Sequence, residues 1–110
     1  MGDPGARLTG TAVEVVGRLA AELEPLGAIT TRKMFGGVGV FTDGTMFAIV
    51  HSTGSVAFRV DDTTAERYRA AGSAPHGRMP YWTVPVSVID DPDELLAWAQ
   101  EAAVVAKSAR

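Results

Sequence analysis

Apolar residues recur at Ala12, Val15, Val16, Leu19, Ala20 and Leu23. That three-and-four spacing lays one stripe along a helix and predicts an amphipathic first element. Thr9 or Thr11 is its expected cap, Pro25 and Gly27 mark its end, and Arg18, Glu22 and Glu24 are left for solvent. The period then shortens. Ile29 to Met34 alternates weakly and stops at Gly36-Gly37, and Val38 to Thr42 follows. Asp43-Gly44 is a two-residue hairpin signal, because both residue types tolerate the positive φ of a type I′ turn. Thr45 to His51 carries the unbroken apolar run Met46 to Val50, which predicts a central strand covered on both faces. After Ser52-Thr53-Gly54, the segment Ser55 to Val60 alternates cleanly. Val56, Phe58 and Val60 fall on one side, Ala57 and Arg59 on the other. Tight turns between consecutive strands impose antiparallel pairing, hence a meander.

A short second helix is expected from about Thr63 to Ala71, with Thr63 and Glu66 at capping-box spacing and Gly72 as a left-handed stop. The loop from Ser73 to Pro80 leads to a fifth strand, Tyr81 to Val84, which Pro85 confines to an edge. The last helix has the clearest start. Asp91 is the cap, Pro92 takes the first position, and Asp93 and Glu94 fill the first turn, where the helix dipole favours anions. Leu95, Trp98, Ala99, Ala102, Ala103 and Ala106 form its buried stripe. The fold class is therefore α+β: an antiparallel meander sheet of about five strands, with the N- and C-terminal helices packed on it and a short helix after strand four. Residues 1–110 read as a single domain, residues 1–7 as a flexible tail.

Composition narrows the chemistry. Cysteine is absent, which excludes disulfides, thiolate nucleophiles and cysteine-based metal motifs, and suits a reducing cytoplasm. The N-terminus has no apolar signal segment, and the longest apolar run is far short of a membrane span, so a cytoplasmic chain without membrane attachment is expected. A net charge of −3 gives no general attraction to phosphate, yet residues 32–78 hold six basic side chains against four acidic ones.

Four candidate chemistries follow. Gly36-Gly37-Val38-Gly39 invites comparison with phosphate-binding loops, but it leads into a strand and lacks the Lys-Ser/Thr ending; the glycines read as positive-φ or bulge residues at a strand junction. His51 and His76 have no partner at metal-ligand spacing, and Ser52 and Ser55 near His51 sit in no nucleophile-elbow pattern. The pairs Asp61-Asp62 and Asp90-Asp91 precede helices and read as caps. Arg32-Lys33 beside Phe35, and Arg78 beside Tyr81-Trp82, are candidates for a nucleic-acid or partner surface, the alternative being core aromatics flanked by solvated charge. No catalytic residue, metal ligand or cofactor site emerges.

Taken in order, Arg32-Lys33-Met34-Phe35-Gly36-Gly37, Asp43-Gly44-Thr45-Met46-Phe47-Ala48, Phe58-Arg59-Val60-Asp61, the turn from Gly72 to Pro75, Tyr81-Trp82 with Val84-Pro85, and Asp90-Asp91-Pro92-Asp93-Glu94-Leu95 leading to Trp98-Ala99 resemble the N-terminal domain of the TfoX/Sxy family. These are bacterial proteins named for regulation of competence genes. The resemblance runs from about residue 8 to residue 106 in a stand-alone form, with the stretch between Pro75 and Tyr81 abbreviated where relatives have room for a small hairpin. It implies a non-enzymatic regulatory or protein-interaction domain, acting on transcription through a protein partner, with no catalytic residues to carry over. The alternative is a nucleic-acid-binding domain using a basic face of Arg32, Lys33, Arg59 and Arg78. A small-molecule-binding or enzymatic domain is a third reading, and a homodimer through an exposed sheet edge also stays open.

Overall fold

The computed structural model describes residues 10–34, 36–75 and 79–109. Helix α1 (Gly10–Glu22) and a 3-10 turn (Glu24–Leu26) lead into five strands: β1 (Ile29–Met34), β2 (Gly37–Thr42), β3 (Thr45–His51), β4 (Val56–Arg59) and β5 (Tyr81–Thr83). Helix α2 (Ala65–Ala70) stands between β4 and β5, and α3 (Val86–Ile89) and α4 (Pro92–Ser108) close the chain. The strands pair antiparallel in the order β1-β2-β3-β4-β5. The α+β meander expected from the pattern is the observed fold, with the fifth strand at an edge.

Local chemistry explains most junctions. Asp43 and Gly44 have φ of 54° and 77°, the pair of positive values that a type I′ hairpin requires. Asp91 caps α4, its Oδ1 accepting from the N–H groups of Asp93 (3.1 Å) and Glu94 (3.3 Å). Gly72, at φ 85°, ends the α2 segment as the left-handed stop. The start of α2 differs from expectation. Asp61 Oδ1 accepts the Thr64 N–H at 2.7 Å and Thr64 Oγ1 accepts the Asp61 N–H at 3.0 Å, so this reciprocal box holds the entry turn one residue pair upstream of the expected Thr63 and Glu66. Glu66 is instead paired with Arg69. The Thr64 N–H bond, foremost, holds the Asp61 carboxyl below its ordinary pKa. At the chain start, α1 already includes Thr11, so Thr11 is not its cap, and Thr9 lies outside the described residues.

All the helices pack on one face of the sheet. Val40, Phe47, Ala48, Val50, Val56 and Phe58 meet Leu19 and Leu23 from the α1 region and Leu95, Trp98, Ala99 and Ala102 of α4 in one core. The apolar run in β3 is longer than alternation allows because of a bulge. Val40 pairs with Ala48 and Phe41 with Met46, which leaves Phe47 as an extra residue, and both Phe47 and Ala48 reach the helix-side core. On the opposite face Ile49, Ala57 and Tyr81 form a small second cluster with Met46.

Among the described residues, Thr42 of β2 and Tyr68 of α2 each bury a hydroxyl without a hydrogen-bond partner. Burial, reinforced by the Glu101 carboxylate, raises the pKa of Tyr68 well above 10, and burial also raises that of Tyr81. Below the ordinary tyrosine value both folded and unfolded chains keep these protons. Above it the unfolded chain releases them first, so the stability is lost as pH rises from about 10 toward the folded-state values. The thermal midpoint should therefore fall on the alkaline side, and fall less steeply in Tyr68→Phe. At neutral pH the same variant should lie within about 1 kcal/mol of wild type, since it deletes an unsatisfied hydroxyl rather than a bond.

Candidate interaction surface

The helix-free face of the sheet is built by strict alternation. Arg32 of β1 pairs with Gly39, Gly39 with Ile49, Ile49 with Ala57 and Ala57 with Thr83, so these residues line one row across all the strands. Met34, Phe41, Met46, Arg59 and Tyr81 share that face. A Cβ on Gly39 would meet the sulfurs of Met46 at 2.7 Å and Met34 at 2.9 Å and the Phe41 ring at 3.2 Å. The missing side chain at residue 39 is the space these three groups fill.

Two guanidinium groups frame the surface. Arg32 lies over the Phe41 ring, 5.6 Å from its centroid, and Arg59 lies 5.9 Å from the Tyr81 centroid. Such stacking fixes a cation without neutralising it. Tyr81 is itself tethered, its hydroxyl donating to the Met46 carbonyl at 3.2 Å. Three strand spacings, about 14 Å, separate β1 from β4. The Arg59 Nε is buried and has no hydrogen-bond partner among the described residues.

The expected four-residue basic face is not assembled as such. Arg32 and Arg59 share a face, but Lys33 follows Arg32 in a pleated strand and turns to the helix side, opposite Val38. Arg78, His76 and Phe35 lie outside the described residues. The arginine–aromatic pairs among the described residues are others than those expected, which involve Phe35 and Arg78. Arg32 stacks on Phe41, while Arg69 lies over Trp82 (5.3 Å) and Arg67 over Trp98 (5.0 Å). Sequence neighbours in a strand point apart, so the relevant signal was the spacing Gly37-Gly39-Phe41 against Arg32-Met34, legible only with the register known.

Ion pairing separates the cations. Arg18, Arg67, Arg69 and Lys107 pair with Glu22, Glu101, Glu66 and Asp43. Among the described residues, Arg32, Lys33 and Arg59 have no carboxylate at ion-pair distance. These are the described basic residues that the strands carry.

Other candidates resolve into structural roles. Gly36 has φ 70°, as a strand junction needs, and no helix follows it to present N–H groups to a phosphate. The His51 Nδ1 accepts the Thr53 N–H at 3.2 Å and lies 3.0 Å from Thr53 Oγ1, an arrangement that closes the β3–β4 turn. No group of three or more His, Asp or Glu among the described residues could hold a metal ion. A cavity of about 220 Å³ lies between α1, α3 and the β4–β5 end, walled by Leu19, Val56, Val84, Ile89 and Leu95. Its polar lining includes Ser55, Thr83 and Arg18, which donates to the Ile89 carbonyl at 2.9 Å and pairs with Glu22 at 3.1 Å. His51 is not among its lining residues. No helix among the described residues is long and apolar enough to cross a membrane.

No curated protein matches the chain. A family model described as the TfoX N-terminal domain matches residues 21–106, thus β1 to α4 and the very end of α1, a later start than the resemblance suggested. With most of its length inside that match, the chain belongs to the TfoX N-terminal domain family.

Proposed function

We propose that this chain is a non-enzymatic regulatory domain of the cytoplasm, which binds a protein partner through the helix-free side of its sheet and influences transcription by that contact. One observation carries the reading: Arg32 and Arg59 stand on the same face, each fixed over an aromatic ring, around a centre of Met34, Met46 and Ile49. Apolar area flanked by preorganised arginines is the composition that protein interfaces favour. Membership in a family associated with competence regulation agrees with it.

The test is a transcript profile of a strain lacking the gene. Restoring the wild-type chain should return the profile, and the R32E/R59E double variant should not, with circular dichroism checking that the variant keeps its fold. Transcripts identical with and without the gene would overturn the reading.

The shared face of Arg32 and Arg59 also favours a second reading, direct nucleic-acid binding. Two phosphate contacts would give a salt slope of only about −1.8 on logarithmic axes. Fluorescence anisotropy with duplex and single-stranded DNA at low salt decides it: a complex lost in R32E/R59E supports this reading, and its absence leaves the protein partner.

A further inference from the structure

The two edges of the sheet are unlike. Beyond β5 the edge is occupied: the Thr83 N–H donates to the Ala74 carbonyl at 3.1 Å, and Pro75 bridges to Trp82. β1 is twice as long, exposed from Thr30 to Met34, and has no strand on its outer side among the described residues. It contains neither proline nor bulge. The Ser52 N–H donates to the Gly36 carbonyl, which makes Gly37 a non-hydrogen-bonded partner of His51 in β3 and so the hydrogen-bonded partner of Met34 in β1. Counting back from it, Met34, Arg32 and Thr30 spend their backbone groups on β2. Ile29, Thr31 and Lys33 turn theirs outward.

An exposed edge of this kind is a template for another strand unless something rejects it. Here the rejecting element is selective. β1 carries Arg32 and Lys33 and no acid, so pairing with a second copy would bring four cations together without a counter-charge. The same charges invite a strand of opposite sign. Arg32 is held on the helix-free face and Lys33 projects to the helix side, so neighbouring carboxylates on an added strand would meet one cation each, on alternate faces.

We propose that β1 accepts, as a sixth strand, an extended acidic segment of a protein partner. This rests on the interaction reading above and gives the partner its chemistry. Backbone bonds to Ile29, Thr31 and Lys33 supply affinity independent of sequence, and adjacent Asp or Glu residues facing Arg32 and Lys33 supply register and selectivity.

The probe is a fluorescent peptide of about eight residues, Val and Thr with a central Glu-Glu pair, long enough to cover one strand. By anisotropy it should bind the wild-type chain, while the same peptide with Lys-Lys should not. In the R32E/K33E variant the preference should reverse, each affinity changing by at least about tenfold, and added salt should weaken the matched pairs. Two further Glu-Glu peptides, N-methylated at alternate residues on one edge or the other, separate strand pairing from charge attraction. One series should lose binding and the other keep it. Overturning results are equal binding of the Glu-Glu and Lys-Lys peptides, equal binding of both methylated series, or a stable dimer that the acidic peptide fails to dissociate in sedimentation. Because Arg59 lies off this edge, R59E should keep peptide binding. Lost transcript dependence with intact peptide binding would therefore sink the regulatory reading alone, and the converse would sink the sixth strand alone.

Discussion

Gly37→Ala should be among the most damaging single-methyl additions in this chain, costing about 3 kcal/mol or more in urea denaturation. A Cβ at residue 37 would lie 2.3 Å from the Val50 carbonyl oxygen and 3.2 Å from the His51 Cα. Both are backbone atoms of the neighbouring strand, where His51 is the residue in register with Gly37 and Val50 adjoins it, so nothing can swing aside. The strands must part at the end where the β1–β2 hairpin enters the sheet. Gly39→Ala, two residues on, should stay within about 1 kcal/mol of wild type. Its clashes are with the ends of the Met46 and Met34 side chains, which are flexible and can repack, and Ala has the better strand propensity. Equal losses for the two variants would refute the distinction between a backbone wall and a side-chain wall. The pair also separates the roles within one glycine-rich segment: Gly36 supplies positive φ, Gly37 supplies close approach, and Gly39 supplies room for the methionines.

That segment illustrates how far the sequence carries. Turns whose chemistry is local were legible: Asp43-Gly44 needs only its own φ values, and Asp91 needs only the N–H groups two and three residues ahead. The side-chain parity of β4 was legible for the same reason. Helix α3 was not. Val86-Ser87-Val88-Ile89 is mostly β-branched and disfavours helix on propensity. It forms after Pro85, whose carbonyl accepts from Val88 (3.0 Å) and Ile89 (3.1 Å), and it is secured by Arg18 reaching the Ile89 carbonyl from 71 positions away. The basic residues were legible as a set but not as a surface. Parity alone separates Arg32 from Lys33, whereas joining Arg32 to Phe41 needs the β1–β2 register, joining Arg59 to Tyr81 needs the β4–β5 register, and placing both on one face needs all four strand pairs.

Trp98→Ala should cost about 3–5 kcal/mol, and the loss should concentrate at α2. Helix α2 has six residues, too few to persist alone. Beside the stacking of Arg69 on Trp82 of β5, one residue of α4 holds it. The Trp98 ring meets Tyr68 edge-on at 4.7 Å between centroids and carries the Arg67 guanidinium at 5.0 Å, and Arg67 continues to Glu101, one turn further along α4. Removing the indole strips Tyr68 of its partner and leaves Arg67 tethered by a half-exposed ion pair, which is worth little by itself. Trp98→Phe retains a ring against Tyr68 and forfeits the Nε1 bond to Glu94, 3.3 Å in the native chain; its cost should be about 1–2 kcal/mol. Hydrogen exchange provides the sharper reading. In Trp98→Ala the amides from Ala65 to Ala71 should lose protection ahead of β2 and β3, each of which is held by a strand ladder on both sides. Uniform loss across the sheet would mean that Trp98 supports the whole core, and that α2 is anchored by the Asp61–Thr64 box and its own chain connections instead.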